Sequence, residues 1–217
     1  MPDKSASSIR DGAPGASAHA NTNANTNPAA ALEAFLTRAG TKERTKLEKH
    51  LALIDAENGP EHGNVFRQIA TRLGEMAPVG VQSVGSNNWR YFIPDGKYRK
   101  QVFALEDPGD GTLRIYLPDI RAAAVKAKIL KATSEPNQFN VAGTPRTLYV
   151  EPLDAESTAS PAAHFKHMLG WNRTAVRVTL PILGAAEGPL AAAAEALCAL
   201  AAKEWAGQAQ PQGEVKK

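Results

Sequence analysis

Near residue 79 the spacing of apolar residues changes from every third or fourth position to every second, so a helical segment should give way to a sheet-forming one. Before the change, Leu32, Phe35, Leu36 and Ala39 repeat at helical spacing behind Pro28. Asn27 is placed as an N-cap and Gly40 ends the run. Thr41 is placed to cap a second helix with the stripe Leu47, Leu51 and Ile54, which stops at Asn58-Gly59-Pro60. Asn64 is placed to cap a third, which carries Val65, Phe66, Ile69, Leu73 and Met76 and closes at Pro78. The mixed charges of Lys42, Glu43, Arg44, Lys46, Glu48 and Lys49 read as the solvated face of the second helix.

After the change, Val79, Val81 and Ser83 alternate with small or polar residues. Trp89, Tyr91 and Ile93 alternate with Arg90 and Phe92, and Leu113, Ile115 and Leu117 with Arg114 and Tyr116. Together with Gln101 to Leu105, and with turns at Asn87-Asn88, Pro94-Asp95-Gly96 and Asp107-Pro108-Gly109-Asp110-Gly111, these runs predict an antiparallel meander of four strands. Pro118-Asp119 opens a helix with Ile120, Ala123, Ala124, Ala127 and Leu130 on one face. Residues 133–146 read as loop, and Thr147–Val150 and Ala175–Leu180 as two further strands. Pro161 starts a short helix with Phe165, Met168 and Leu169 inside, capped at Gly170. An Ala-rich helix runs from about Pro189 to Trp205, lined by Leu190, Ala194, Leu197, Cys198 and Ala201. The expected fold class is α+β: a four-stranded antiparallel meander extended by two more strands, packed with C-terminal helices and preceded by an N-terminal helical segment.

Residues 1–27 contain no Leu, Val, Phe, Trp or Tyr and include the run Asn21-Thr22-Asn23-Ala24-Asn25-Thr26-Asn27. Such a stretch has too little apolar surface to offset the entropy of ordering it, and it reads as a disordered tail with no apolar core of a secretory signal. Residues 207–217 read the same way. Between them lies a single domain, 28–206, with a helical segment at 28–77 and the sheet plus helices at 78–206. A length of 217 residues suits one domain.

Lys and Arg number 25 against 22 Asp and Glu, a net charge of +3 that supplies little steering toward a polyanion. One cysteine, Cys198, excludes an internal disulfide framework, and its place on an apolar helix face makes it an inert thiol. No apolar run reaches the roughly 18 residues of a membrane span. The expected location is cytoplasmic, with no membrane partner. The dinucleotide loop, the P-loop and the nucleophile elbow are all missing from the sequence, and no cofactor is expected.

Two constellations remain. His164 and His167 are spaced i, i+3, so both imidazoles can share one side of a helix and hold a metal, with Asp154 or Glu156 as a third ligand. The alternative makes His164 a boundary residue and His167 an exposed one. On the sheet, if Leu113, Ile115, Leu117, Leu148, Val150, Val176 and Val178 face the core, then Arg90, Phe92, Arg114, Tyr116, Tyr149 and Arg177 occupy the other face. Interleaved arginines and aromatics suit single-stranded nucleic acid, with Lys97, Tyr98, Arg99, Lys100, Arg121, Lys128 and Lys131 adding charge nearby. Helices covering both faces would remove that surface. Glu106, Asp107 and Asp110 cluster at a strand end, where turn chemistry accounts for the two aspartates. The expected function is a non-enzymatic intracellular binding or accessory protein of unknown ligand, whose partner is single-stranded nucleic acid or another protein. The alternatives are single-stranded nucleic-acid binding through Arg90, Arg114, Tyr116, Tyr149 and Arg177, and a metal-dependent enzyme using His164 and His167. Deleting residues 1–26 should move the melting temperature by less than about 2 °C, since no large apolar side chain is lost; a larger drop in a thermal scan would mean that the segment docks.

Overall fold

The computed structural model describes residues 28–77, 80–84, 88–95, 98–153, 175–182 and 188–206. The expected tails, the Pro161 helix and the loop residues Gly96 and Lys97 lie outside them, as do the side chains of Tyr98, Arg99, Lys100 and Trp205.

Three helices lead: α1 (Pro28–Arg38), α2 (Thr41–Asn58) and α3 (Pro60–Met76). Their starts differ from the sequence expectation in two places. Gly40, at φ 79°, is the N-cap of α2, which makes Thr41 its first helical residue. Gly59, at φ 86°, closes α2 and opens α3 at once. Only a glycine takes that backbone cheaply, and Pro60 is pre-set for the first helical position. Asn64 therefore lies within α3, and His62 joins the stripe of Phe66, Ile69 and Leu73 on its buried side.

The strands are β1 (Gly80–Val84), β2 (Asn88–Asp95), β3 (Tyr98–Glu106), β4 (Thr112–Pro118), β5 (Leu130–Ala132), β6 (Gln138–Val141), β7 (Thr147–Pro152) and β8 (Ala175–Pro181). They form one eight-stranded sheet of order β1-β2-β3-β4-β8-β7-β6-β5, every pair antiparallel. The four-stranded meander is thus extended by four strands rather than two. A helix through Leu130 was expected, but α4 (Arg121–Lys126) is a short piece, and Lys128 at φ 58° turns the chain into β5. With three and four residues, β5 and β6 are too short to display a period of two in the sequence. After α4 the chain runs to the far edge and returns strand by strand until β8 closes on β4, from Thr112↔Pro181 to Pro118↔Ala175.

The described helices stack on one face of this sheet. From α1, Phe35 stacks on Trp89 with ring centroids 5.8 Å apart, and Phe66 of α3 meets the same indole edge-on at 5.0 Å. Tyr91 donates its hydroxyl hydrogen to the Ala70 carbonyl at 3.1 Å. The last helix, α5 (Pro189–Ala206), lays its alanines and Cys198 over β2, β3, β4, β6 and β8, and α4 touches it. Arg72 ties α3 to α5 through Glu195 at 2.9 Å. Leu113, Ile115, Leu117, Leu148, Val150, Val176 and Val178 are all buried, as the period-two pattern requires. Burial pushes the Cys198 thiol well above its ordinary pKa, in keeping with an inert cysteine. Among the described residues no helix is long and apolar enough to cross a membrane.

A Cβ on Gly74 would come within 2.3 Å of the Phe35 ring. That ring is wedged against Trp89 and cannot swing aside. Gly74→Ala should therefore destabilise by about 1–3 kcal/mol, although alanine gains about 1 kcal/mol in helix propensity. Urea denaturation checks the sign, and in a Phe35→Leu background the same substitution should cost less.

Candidate functional site

Register fixes what the face of the sheet turned away from the described helices carries, because cross-strand partners point to the same side. One row crosses the sheet as Glu151↔Arg177↔Tyr116↔Ala104↔Arg90↔Gln82. The next runs Gln138↔Tyr149↔Thr179↔Arg114↔Glu106↔Asn88. All five expected sheet residues, Arg90, Arg114, Tyr116, Tyr149 and Arg177, stand in these two rows. Phe92 follows on the same face beyond a bulge at Tyr91/Phe92.

The face is graded. Over β2–β4 it is buried: Tyr116 is 1% exposed, Glu106 3% and Ala104 0%. Over β6–β8 it opens, and Tyr149 stands 48% exposed, with its hydroxyl accepting from Gln138 Nε2 at 2.7 Å. Tyr116, buried as it is, presents no open ring for stacking.

Acids answer Arg114 and Arg177 on this face. Arg177 donates through Nη2 and Nε to Glu151 at 2.5 and 3.1 Å. Arg114 bonds Asp110 at 2.6 Å and lies 3.9 Å from Glu106. Tyr116 donates its hydroxyl hydrogen to Glu106. Burial first, and then this carboxylate, push the phenol well above its ordinary pKa. Partial burial works against the charge of Arg177, but Glu151 outweighs it and the pKa rises. Burial lowers that of Arg90. Asp110 is held below the usual carboxylate range, chiefly by the Thr112 hydroxyl and also by the Arg114 charge.

A second polar cluster lies on the helix side. Glu106 and Asp107 are sequence neighbours with separate partners. Asp107 is 5% exposed and takes His62 Nε2 at 2.9 Å, Asn58 Nδ2 at 3.4 Å and the Gly109 N–H at 3.0 Å. The last bond, with Thr112 N–H to Asp110 at 3.1 Å, is the turn chemistry expected of both aspartates. Deeper still, Trp89 donates its indole N–H to His50 Nδ1.

Sequence reasoning placed the sheet residues and missed both histidines. Each carried a signal. His50 falls in the stripe Leu47, His50, Leu51, Ile54, and His62 in the stripe His62, Phe66, Ile69, Leu73, so both are polar residues at core positions. His164 and His167, with Asp154 and Glu156, lie outside the described residues. Among the described residues, no group of three or more His, Cys, Asp or Glu side chains could hold a metal ion. No protein-family model, curated protein or solved structure matches this chain.

Tyr116→Phe removes a donor from the buried Glu106 carboxylate and should cost about 1–3 kcal/mol. Arg177→Ala breaks a half-exposed pair and should cost less than about 1 kcal/mol. Chemical denaturation of the two variants under one buffer checks that order.

Proposed function

We propose that this chain is a non-enzymatic binding module whose contact surface is the open half of the sheet face, centred on Tyr149 and flanked by Gln138, Glu151, Arg177 and Thr179. One observation carries the reading: a half-exposed tyrosine stands on a rigid sheet beside an arginine already oriented by its carboxylate. Tyrosine and arginine are enriched where protein surfaces bind, because they contribute area and hydrogen bonds at low ordering cost. Near balance of charge favours a protein partner: Arg90, Arg114 and Arg177 share the face with Glu106, Asp110 and Glu151. A phosphate backbone needs arginines that can give up their present partners, and each exchange spends part of the attraction.

The same face supports single-stranded nucleic-acid binding as a second reading, through the shared side of Arg90, Arg114, Tyr149 and Arg177. Two measurements separate them. A photo-crosslinking residue at position 149 should give one discrete protein adduct in the native host, lost when Arg177→Glu is added. The same residue at the exposed Leu53 of α2 should give none. A labelled single-stranded oligonucleotide at low salt should show no binding tighter than about 10 μM. Tight, salt-dependent binding weakened by about 1–3 kcal/mol in Tyr149→Ala would select the nucleic-acid reading instead.

A further inference from the structure

Two histidines fasten the helical layer to the sheet. His62 meets Asp107, and His50 meets Trp89. His50 is 4% exposed, edge-on to Phe66 with ring centroids 5.7 Å apart and 5.8 Å from the Trp89 ring. A ring nitrogen that accepts a hydrogen bond carries no proton, so the neutral imidazole bears its hydrogen on Nε2. That Nε2 is buried and has no hydrogen-bond partner among the described residues. Adding a proton would put an N–H on Nδ1 directly against the indole N–H, two donors face to face where neither reaches water. The contact has to open, because a buried donor without an acceptor is costly.

Asp107 is buried, and its charge favours the protonated form of His50. Of the titratable groups described, Asp107, just past the end of β3, acts on the charge of His50, and His62 of α3 is bonded to that carboxylate. β2 presents Trp89, α3 also presents Phe66, and β1 presents Val81 and Ser83, which do not titrate in this range. We propose that His50 is a proton-operated latch between α2 and β2: neutral, it accepts from Trp89, and protonated, it releases Trp89. Opening loosens α2 over β1 and β2, while α5 keeps its contacts with β4, β6 and β8.

Burial holds the imidazole down to a pKa of about 4, with Asp107 working the other way. The unfolded chain protonates nearer 6.5, so it binds the proton first on acidification. The stability owed to the neutral ring is complete above about pH 6.5 and is lost as the pH falls toward 4. For this group the folding equilibrium changes on the order of a hundredfold.

Nitrogen-15 NMR of the Trp89 indole N–H in the full chain tests the latch. Its resonance should shift, and its exchange with solvent should quicken, between about pH 6 and pH 4 while the α5 amides stay protected. His50→Gln keeps an acceptor that cannot titrate and should abolish the step; His62→Gln should leave it in place. If His50→Gln does not fold, Trp89→Phe serves instead: without the indole donor, the His50 ring should titrate at a higher pH. The latch is overturned by a Trp89 signal constant down to pH 4, by a step that persists in His50→Gln or disappears in His62→Gln, by an unmoved His50 titration in Trp89→Phe, or by single-step unfolding of the whole chain.

Discussion

The pairing of β4 with β8 holds the structure together. It joins two four-stranded meanders that are each complete in themselves, and seven consecutive register pairs fix their alignment. A slip of one residue would turn Leu113, Ile115, Leu117, Val176, Val178 and Leu180 out of the core together. The same register sets Tyr116 opposite Arg177 and Arg114 opposite Thr179. Core and candidate site are therefore two faces of one hydrogen-bonded ladder.

The described helices stack on one side, and the other side of the central strands carries charged and polar residues at Arg90, Glu106, Arg114 and Arg177. The sheet pairs such groups: Glu106 with Tyr116, Arg114 with Asp110, Arg177 with Glu151. Charges so paired are oriented by the protein itself, and on the open half of the face Arg177 and Glu151 flank Tyr149. Preorganisation of this kind favours recognition of a surface over attraction of a charge. On the helix side, polar groups are few and each has a separate task. Asp107 gathers α2, α3 and the β3–β4 turn at one carboxylate, while His50 joins α2 to β2 through Trp89.

The legible parts of the chain are those where one period runs long enough to identify itself. α1, the stripes of α2 and α3, the first four strands, β7, β8 and α5 all follow from spacing, and so does the division of Arg114, Tyr116 and Arg177 from Ile115 and Val178. β5 and β6 were illegible because they are made by pairing, β5 with β6 and β6 with β7, rather than by their own pattern. The start of α3 was misplaced because a polar cap at Asn64 competed with the Gly59-Pro60 junction, where backbone geometry decides. His50 and His62 were passed over because a histidine in an apolar stripe gains meaning only from what lies across from it.

By itself the sequence determined the α+β class, the switch of period near residue 79, the two sides of the central strands and the buried, inert character of Cys198. These are local consequences of side-chain spacing. Tertiary structure alone decided that the sheet has eight strands, that the leading helices pack on it, and that Arg114 and Arg177 meet Asp110 and Glu151. It also decided that Tyr116 is buried while Tyr149 is open, and that His50 meets Trp89. The physical reason is distance along the chain. Strand order, and the meeting of residues as far apart as His50 and Trp89 or His62 and Asp107, depend on which surfaces close on one another, and the spacing of residues within a single strand or helix does not carry that information.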